Sequence, residues 1–312
     1  MKVVITDWNF PNIDIERKII EEAGHTVVDA QCKTEDEVAV LVSDADLVIA
    51  QWAPVKSKAI AAMTQCKGIV RYGIGLDNID LDAAKAKDIP VANVPDYCLN
   101  EVADHTVALM LASQRQILST WDRINQGTWV ITSPMTLPPL RQSTLALVGL
   151  GRISQRVAAR AQAFGIKVIG FDPGLTDEQF EALQVERVSL DQIWEQADIV
   201  SLHCPLIEAT HHLVNAEVLK KMKPTSIVVN TSRGGLINTK DITDALNNGV
   251  IAGAALDVVE EEPLANDHPL LKAKNVVVTS HTAWHSGNSI TELQTLAAEK
   301  AVELLNRVKE VV

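Results

Sequence analysis

The run LALVGLGRISQRV, from Leu145 to Val157, limits what this chain can become more than any other segment. An apolar, strand-like stretch enters the turn Gly149-Leu150-Gly151 and leaves through Arg152, Ile153 and Ser154 into a helical pattern. Gly149 suits a tight strand-to-helix turn, and Gly151 allows a ligand close to the backbone. The helix start offers unpaired N–H groups and the positive end of a dipole, which is what a pyrophosphate requires. Ser154 stands where a third glycine is usual, a small intrusion that the alanine-tolerant form of the pattern accommodates. The next strand-like run ends in FDPG, so Asp172 falls roughly twenty residues beyond the turn, where a carboxylate accepts hydrogen bonds from ribose hydroxyls. It would repel a 2′-phosphate, and no Lys or Arg closely follows it, so the pattern reads as a site for NAD rather than NADP.

Around this turn, short Val/Ile-rich runs alternate with helical patterns. VVITDW (Val3 to Trp8), a helix candidate Ile13 to Ala23, TVVDA from Thr26, DLVIAQ (Asp46 to Gln51), a helix near Lys58 to Gln65, GIVRYG (Gly68 to Gly73) and PVANVP (Pro90 to Pro95) follow in order. Repeated crossovers of this kind imply a parallel sheet. From Asn100 the segment NEVADHTVALMLASQRQIL has the length and spacing of one major helix joining two units. SPMTLPPL (Ser133 to Leu140) then interrupts regular structure before a strand at Thr144. Six further strands are expected at Leu145–Leu150, Lys167–Asp172, Asp198–His203, Ser226–Asn230, Ile251–Asp257 and Asn275–Ser280, which suits a dinucleotide-binding sheet. A last amphipathic helix from Ser286 to about Val308 is expected to pack back on the first unit. The expected organisation is a discontinuous substrate domain, residues 1–99 and 286–312, and an NAD-binding domain, residues 100–285.

At 312 residues there is material for two cores. Acidic residues outnumber basic ones 40 to 28, for a net charge of −12, and no basic run offers a footprint for nucleic acid or anionic lipid. The start MKVVITDW runs straight into a β-like segment without the apolar stretch of a signal peptide, and no stretch approaches a membrane span. Cys32, Cys66, Cys98 and Cys204 are scattered and form no CxxC pair, which fits a reducing cytoplasm. His281 and His285 lie four apart without an HExxH glutamate, so no metal is expected.

Three polar residues fall just after expected strands, where open α/β sheets place ligands. Arg233, in NTSRGG, carries a guanidinium suited to a carboxylate, although a lone Arg in a loop is by default a surface salt-bridge residue. Glu262, in VVEEEPL, would alone be read as part of a solvated acidic face. His281, in SHTAW, would alone be read as structural. Reduction of a carbonyl, however, needs a group near neutrality to give the oxygen a proton as hydride reaches carbon, and a neighbouring carboxylate would orient such an imidazole.

In RYGIGLDNIDLDAA, NEVADHTVALML, VGLGRIS, HCPL, NTSRGGLIN, ALDVVEEEPL and SHTAW, in that order and spacing, the chain resembles the D-isomer-specific 2-hydroxyacid dehydrogenases over nearly its whole length. The resemblance implies two doubly wound parallel-sheet α/β domains, a Rossmann NAD-binding domain and a smaller flavodoxin-like substrate domain, with an interdomain cleft that closes to exclude water. It implies that Arg233 holds the substrate carboxylate and carbonyl, that His281 is the acid or base, and that Glu262 pairs with it. Cofactor positions follow: Gly149, Leu150, Gly151, Arg152, Ile153 and Asp172 on the adenosine and pyrophosphate side, Cys204 and Thr210 bordering it, Thr231 and Arg233 along the nicotinamide half, Ser232 as a further cofactor position, Asp257 facing the carboxamide, and Thr106 approaching from the long helix. For the substrate it implies Gly73, Ile74 and Gly75, whose backbone N–H groups would cradle a carboxylate, with Ile74 bulkier than in many relatives. It also implies a homodimer through the NAD-binding domain. Within the family the chain is most similar to the C-terminal-binding-protein branch, on Arg71, on HHLVN from His211 to Asn215, and on Trp284. Arg71 would add a cation beside the carboxylate, and Trp284 a flat apolar wall, the alternative for Trp284 being core packing.

The chief rival is an NAD(H)-sensing corepressor-like interaction protein, against which the complete Arg-Glu-His set argues. Within enzymes, turnover of phosphoglycerate, glyoxylate or hydroxypyruvate, or oxidation of phosphite, remains open, although no Lys stands in the Tyr72 to Leu76 loop as phosphite would require.

Overall fold

The computed structural model describes residues 1–131 and 137–307. Residues 133–136 of the expected Pro-rich break and Val308, the expected end of the last helix, lie outside the described residues. The chain divides into two compact units, Met1–Cys98 with the chain from His285 on, and Leu99–Trp284.

The first unit alternates β1 (Lys2–Ile5), α1 (Asp14–Glu22), β2 (Thr26–Asp29), α2 (Glu35–Leu41), β3 (Leu47–Ala50), α3 (Ser57–Ala62), β4 (Ile69–Arg71), α4 (Leu81–Ala86) and β5 (Val91–Asn93). All strands are parallel, in the order β2-β1-β3-β4-β5, the flavodoxin-like order. The central strands β3 and β4 are buried along their whole length, β3 as a continuous apolar run and β4 as Ile-Val followed by Arg71, whereas the edge strand β2 alternates exposed with half-buried residues. Thr34 starts α2 with a reciprocal capping box to Glu37, and the Asp80 carboxylate accepts the Ala83 N–H at the start of α4.

The second unit runs α5 (Leu99–Gln114), α6 (Ile117–Asn125), β6 (Thr144–Val148), α7 (Arg152–Ala163), β7 (Lys167–Phe171), α8 (Asp177–Ala182), β8 (Glu186–Arg187), α9 (Leu190–Gln196), β9 (Ile199–Leu202), α10 (Ala216–Lys221), β10 (Ile227–Asn230), α11 (Thr239–Asn247), β11 (Gly253–Leu256) and β12 (Val276–Val278). Its parallel sheet has the order β12-β11-β10-β9-β6-β7-β8. This is the Rossmann order with one added strand, and its switch point lies between β6 and β9, at the glycine turn. The closing helix α12 (Gly287–Arg307) belongs to the first unit and packs on α1, where Gln294 Nε2 donates to Asn12 O at 2.8 Å and to Glu16 Oε2 at 2.9 Å.

Two expectations need correction. The segment from Asn100 is two helices, because Gln116 takes a left-handed backbone (φ 53°) and breaks the ladder after Gln114. The NAD-type sheet has seven strands; β8 went unforeseen because two exposed residues carry no hydrophobic periodicity. Among the described residues no helix is long and apolar enough to cross a membrane.

Candidate active site

The glycine turn is built in two different ways. Gly149 has φ +91°, and a Cβ there would sit 2.9 Å from the backbone of His203 and Cys204, so the fold itself demands glycine. At Gly151 a Cβ would meet nothing within 4 Å. Packing therefore does not require glycine at the N-cap of α7, whereas a ligand resting on the helix N-terminus would. Arg152 and Ile153 form that first turn. Asp172, directly after β7, accepts the Leu150 N–H at 2.7 Å and the Gly174 N–H at 2.8 Å, which fixes its carboxylate beside the glycine turn. Leu150 contributes a buried side chain and an N–H given to Asp172. These features fit a dinucleotide with free ribose hydroxyls.

After β10, Asn230 shapes the loop carrying Arg233. Its buried amide accepts the Ser232 N–H at 3.0 Å and donates to Arg233 O at 2.8 Å. Ser232 Oγ donates to Cys204 O at 3.0 Å, and Arg233 Nη1 donates to Ser232 O at 2.7 Å. Gly234 lets this loop press on the next: a Cβ there would lie 1.9 Å from Val259 O. That neighbouring segment leads into Glu262, whose Oε1 accepts the Val259 N–H at 3.1 Å.

Glu262 Oε2 meets His281 Nδ1 at 2.7 Å, so Nδ1 carries the donated proton and Nε2 is left for other chemistry. His281 is held in a left-handed backbone (φ 54°), its N–H given to Asp257 O at 2.8 Å. For a non-glycine residue such a conformation costs about 1 kcal/mol or more and is a pointer to function. The expected trio therefore includes one hydrogen-bonded pair, and Arg233 sits on the loop pressed against that pair's carrier segment.

Other predicted residues fall into different roles. Asp257 is 1% exposed, its carboxylate engaged by the Thr279 hydroxyl at 2.5 Å and by the N–H groups of Thr282 and Ala283 at 2.9 Å each. Thr106 is equally buried, donating to Val102 O and meeting Thr231 Oγ1, both at 2.7 Å, so it touches the Arg233 loop. Thr210 donates to Pro205 O at 2.6 Å and accepts the Ile207 N–H at 2.9 Å, holding its own turn. Burial pushes the Cys204 thiol up to about 11, so it is not a nucleophile. Trp284 is half-buried. In the first unit the Arg71 guanidinium lies 5.5 Å above the Trp52 ring and packs across Gly73. Asn93 Nδ2 donates to Ile74 O at 2.6 Å and the Val94 N–H to Gly73 O at 3.1 Å, fixing the Gly73–Gly75 loop.

Among the described residues, His211, His212 and Glu260 bring metal-capable atoms within 4.8 Å of one another. Asn238 Oδ1 caps α11 at Asp241, which turns Nδ2 toward His212 Nδ1 at 3.4 Å. His212 then keeps its proton on Nε2 and gives it to Glu260 Oε1 at 2.5 Å. The arrangement is a hydrogen-bonded pin between two loops. Sequence reading missed Asn230, for which a polar residue at a strand end was the signal.

Comparison with known proteins shows the family and the fold. Residues 107–283 match the family described as "D-isomer specific 2-hydroxyacid dehydrogenase, NAD binding domain". D-3-phosphoglycerate dehydrogenase of Methanocaldococcus jannaschii is 39% identical over 310 residues, covering 99% of this chain; the chain spans 57% of that relative's length. Hydroxypyruvate reductase of Blautia hydrogenotrophica is 33% identical, with 98% of this chain and 97% of the relative covered. D-lactate dehydrogenase of Aquifex aeolicus, solved with NAD and lactic acid, superposes with a TM-score of 0.87 at 26% identity, over 99% of this chain and 95% of that one.

Proposed function

The chain belongs to the family of D-isomer-specific 2-hydroxyacid dehydrogenases, and on that premise we propose that it interconverts a small 2-oxo acid and its D-2-hydroxy acid, with Arg233, Glu262 and His281 as the reacting group. The observation that carries the proposal is the 2.7 Å contact between His281 and Glu262 at the strand ends of an NAD-type sheet. When bound, NADH supplies the hydride that goes to C2 of the acid. Arg233 takes the carboxylate and polarises the carbonyl oxygen through its planar fork of donors. His281 gives the Nε2 proton to that oxygen, while Glu262 keeps the ring in orientation and balances the charge carried before transfer. In the reverse direction the same nitrogen takes the hydroxyl proton. Arg71 and the Gly73–Gly75 loop are proposed as additional carboxylate contacts, Trp284 as a wall for the substrate side chain, and Asp172 as the ribose acceptor.

A homodimer through the NAD-binding unit is part of the same reading. It is supported by the apolar side chains α6 and its continuation leave in water, Trp121, Trp129 and Ile131 at 60%, 82% and 94% exposed. The four scattered cysteines, without a CxxC pair, suit a reducing compartment, and the cytoplasm is the proposed location.

The test is a panel of 2-oxo acids, glyoxylate, pyruvate, hydroxypyruvate and its 3-phosphate, with NADH oxidation followed by absorbance. At least one should be reduced, and His281→Ala should lower kcat by about 10²- to 10⁴-fold while NADH binding by fluorescence persists. Comparable turnover in the variant would sink the assignment of His281. NADH binding with no acid reduced would favour the sensing reading instead.

A further inference from the structure

Two consecutive residues of α5 grip the two loops that carry the proposed reacting groups. His105 Nε2 lies 3.1 Å from Thr279 Oγ1 and 3.5 Å from Asp257 Oδ1. Thr279 has one hydroxyl proton, and it is given to Asp257 Oδ1 at 2.5 Å. The contact with His105 must therefore run the other way, with Nε2–H donating to the hydroxyl oxygen. The Asp257 carboxylate at the end of this relay also accepts the N–H groups of Thr282 and Ala283, and the Asp257 carbonyl accepts that of His281. The segment from Thr279 to Ala283 is thus wrapped around one buried anion, with His281 in its left-handed backbone at the centre. The next residue, Thr106, gives its own proton to Val102 O, so Thr231 donates to Thr106 at 2.7 Å and ties the start of the Arg233 loop to the same helix turn.

We propose that His105 is a positioning residue for the reaction: through Thr279 and Asp257 it holds the His281 loop in register with the Arg233 loop, which Thr106 anchors one residue further along α5. The inference rests on the reading of His281 as the acid or base. Its physical basis is that the left-handed backbone of His281 is not self-sustaining and must be over-determined by its surroundings. Four donors converge on Asp257, the Thr279 hydroxyl and the N–H groups of Thr282 and Ala283 on its carboxylate and the His281 N–H on its carbonyl, and His105 stands behind the Thr279 hydroxyl. Of these, His105 is the one supplied by a different element, rigid and helical, so it references the loop to the body of the domain. A displacement of about 1 Å at a reacting group costs about 10²-fold in rate.

The experiment compares His105→Ala, His105→Gln, Thr279→Val, the double variant and His281→Ala in the intact protein, with NADH and the best-reduced acid of the panel. Exchange of the Thr282 and Ala283 amides is read by hydrogen–deuterium mass spectrometry on peptides spanning 276–290. His105→Ala should lower kcat roughly 10- to 100-fold, with KM for the acid and the affinity for NADH little changed, and should raise amide exchange in those peptides. Gln, which can place a neutral N–H near the same point, should restore most of both. Thr279→Val should mimic His105→Ala, and the double variant should be no worse than either alone, as expected of a single relay.

A rate within twofold of the parent and unchanged amide exchange in His105→Ala overturn the proposal. So does additivity in the double variant, or a loss confined to NADH affinity, which would make His105 a cofactor contact. Thr279→Val keeps the question answerable if His105→Ala does not fold. If His281→Ala turns over normally, the underlying acid–base reading has failed; if it is dead and His105→Ala is normal, the positioning role alone has failed.

Discussion

Replacing Gly234 by alanine isolates the contact between the Arg233 loop and the segment leading to Glu262. The added Cβ would lie 1.9 Å from Val259 O, 2.0 Å from Val259 C and 2.6 Å from Glu260 N, where ordinary contact begins near 3.4 Å. The gap must open by about 1.5 Å, and because every clashing atom is backbone, no side chain can swing aside. The neighbouring residues pass the displacement on. Arg233 is adjacent on one side, and Glu262 is bound to the Val259 N–H on the other. A misplacement of this size predicts a loss of about 10²-fold or more in kcat/KM. Overpacking adds about 1–3 kcal/mol of destabilisation, which in a domain of this size lowers Tm by a few degrees. Steady-state NADH oxidation with the preferred acid, a thermal melt and NADH fluorescence titration read the three quantities. NADH binding should persist, because the glycine turn and Asp172 lie at other strand ends. A rate within threefold of the parent together with an unchanged Tm would refute the reasoning, since it would mean that the two loops can separate without moving the reacting groups.

Gly151→Ala should leave Tm nearly unchanged, because its Cβ meets no protein atom, yet weaken NADH binding by about tenfold or more as it intrudes on the pyrophosphate; equal NADH affinity in a titration would remove that assignment. Ser154 has a fully buried hydroxyl without a hydrogen-bond partner, so Ser154→Ala should stabilise the protein by about 1 kcal/mol, and a lower Tm would contradict this. Glu16 is buried between α1 and α12, where desolvation raises its pKa against the opposing hydrogen bonds from Tyr72 and Gln294. A raised folded-state value means that stability is fullest below 4.5 and declines as pH rises through the window between 4.5 and the folded pKa. Glu16→Gln should therefore gain Tm over the parent near neutrality, with the gain shrinking toward pH 4.5; a difference that does not vary with pH would refute the cause.

Local signals already carried most of the architecture. The alternation of apolar runs with helical stretches announced parallel sheets, and the run around Gly149 and Gly151 with Asp172 announced a nucleotide turn, because strand, turn and acid lie within one βαβ unit. Arg233, Glu262 and His281 could be named as candidates because each follows a strand, but their partnership could not be read from spacing. Glu262 and His281 are nineteen residues apart and meet only because β11 and β12 are neighbours in the sheet. Thr106, Thr210 and Asp257 are ligand positions by resemblance alone; the structure adds that their polar atoms also bond within the protein, Thr106 to Thr231 and Asp257 to Thr279 through contacts distant in sequence that no local pattern reveals. The break at Gln116 and the two-residue strand β8 carry no periodicity to reveal them.

The sequence by itself determined the elements, the kind of sheet and the chemistry of the candidate groups, since hydrophobic period, turn-forming glycines and side-chain type act over a few residues. Only the tertiary structure decided which group orients which. His105 reaches Thr279 across 174 residues of chain, and such contacts are set by sheet order and helix placement, which emerge from the burial of the whole domain rather than from any local pattern.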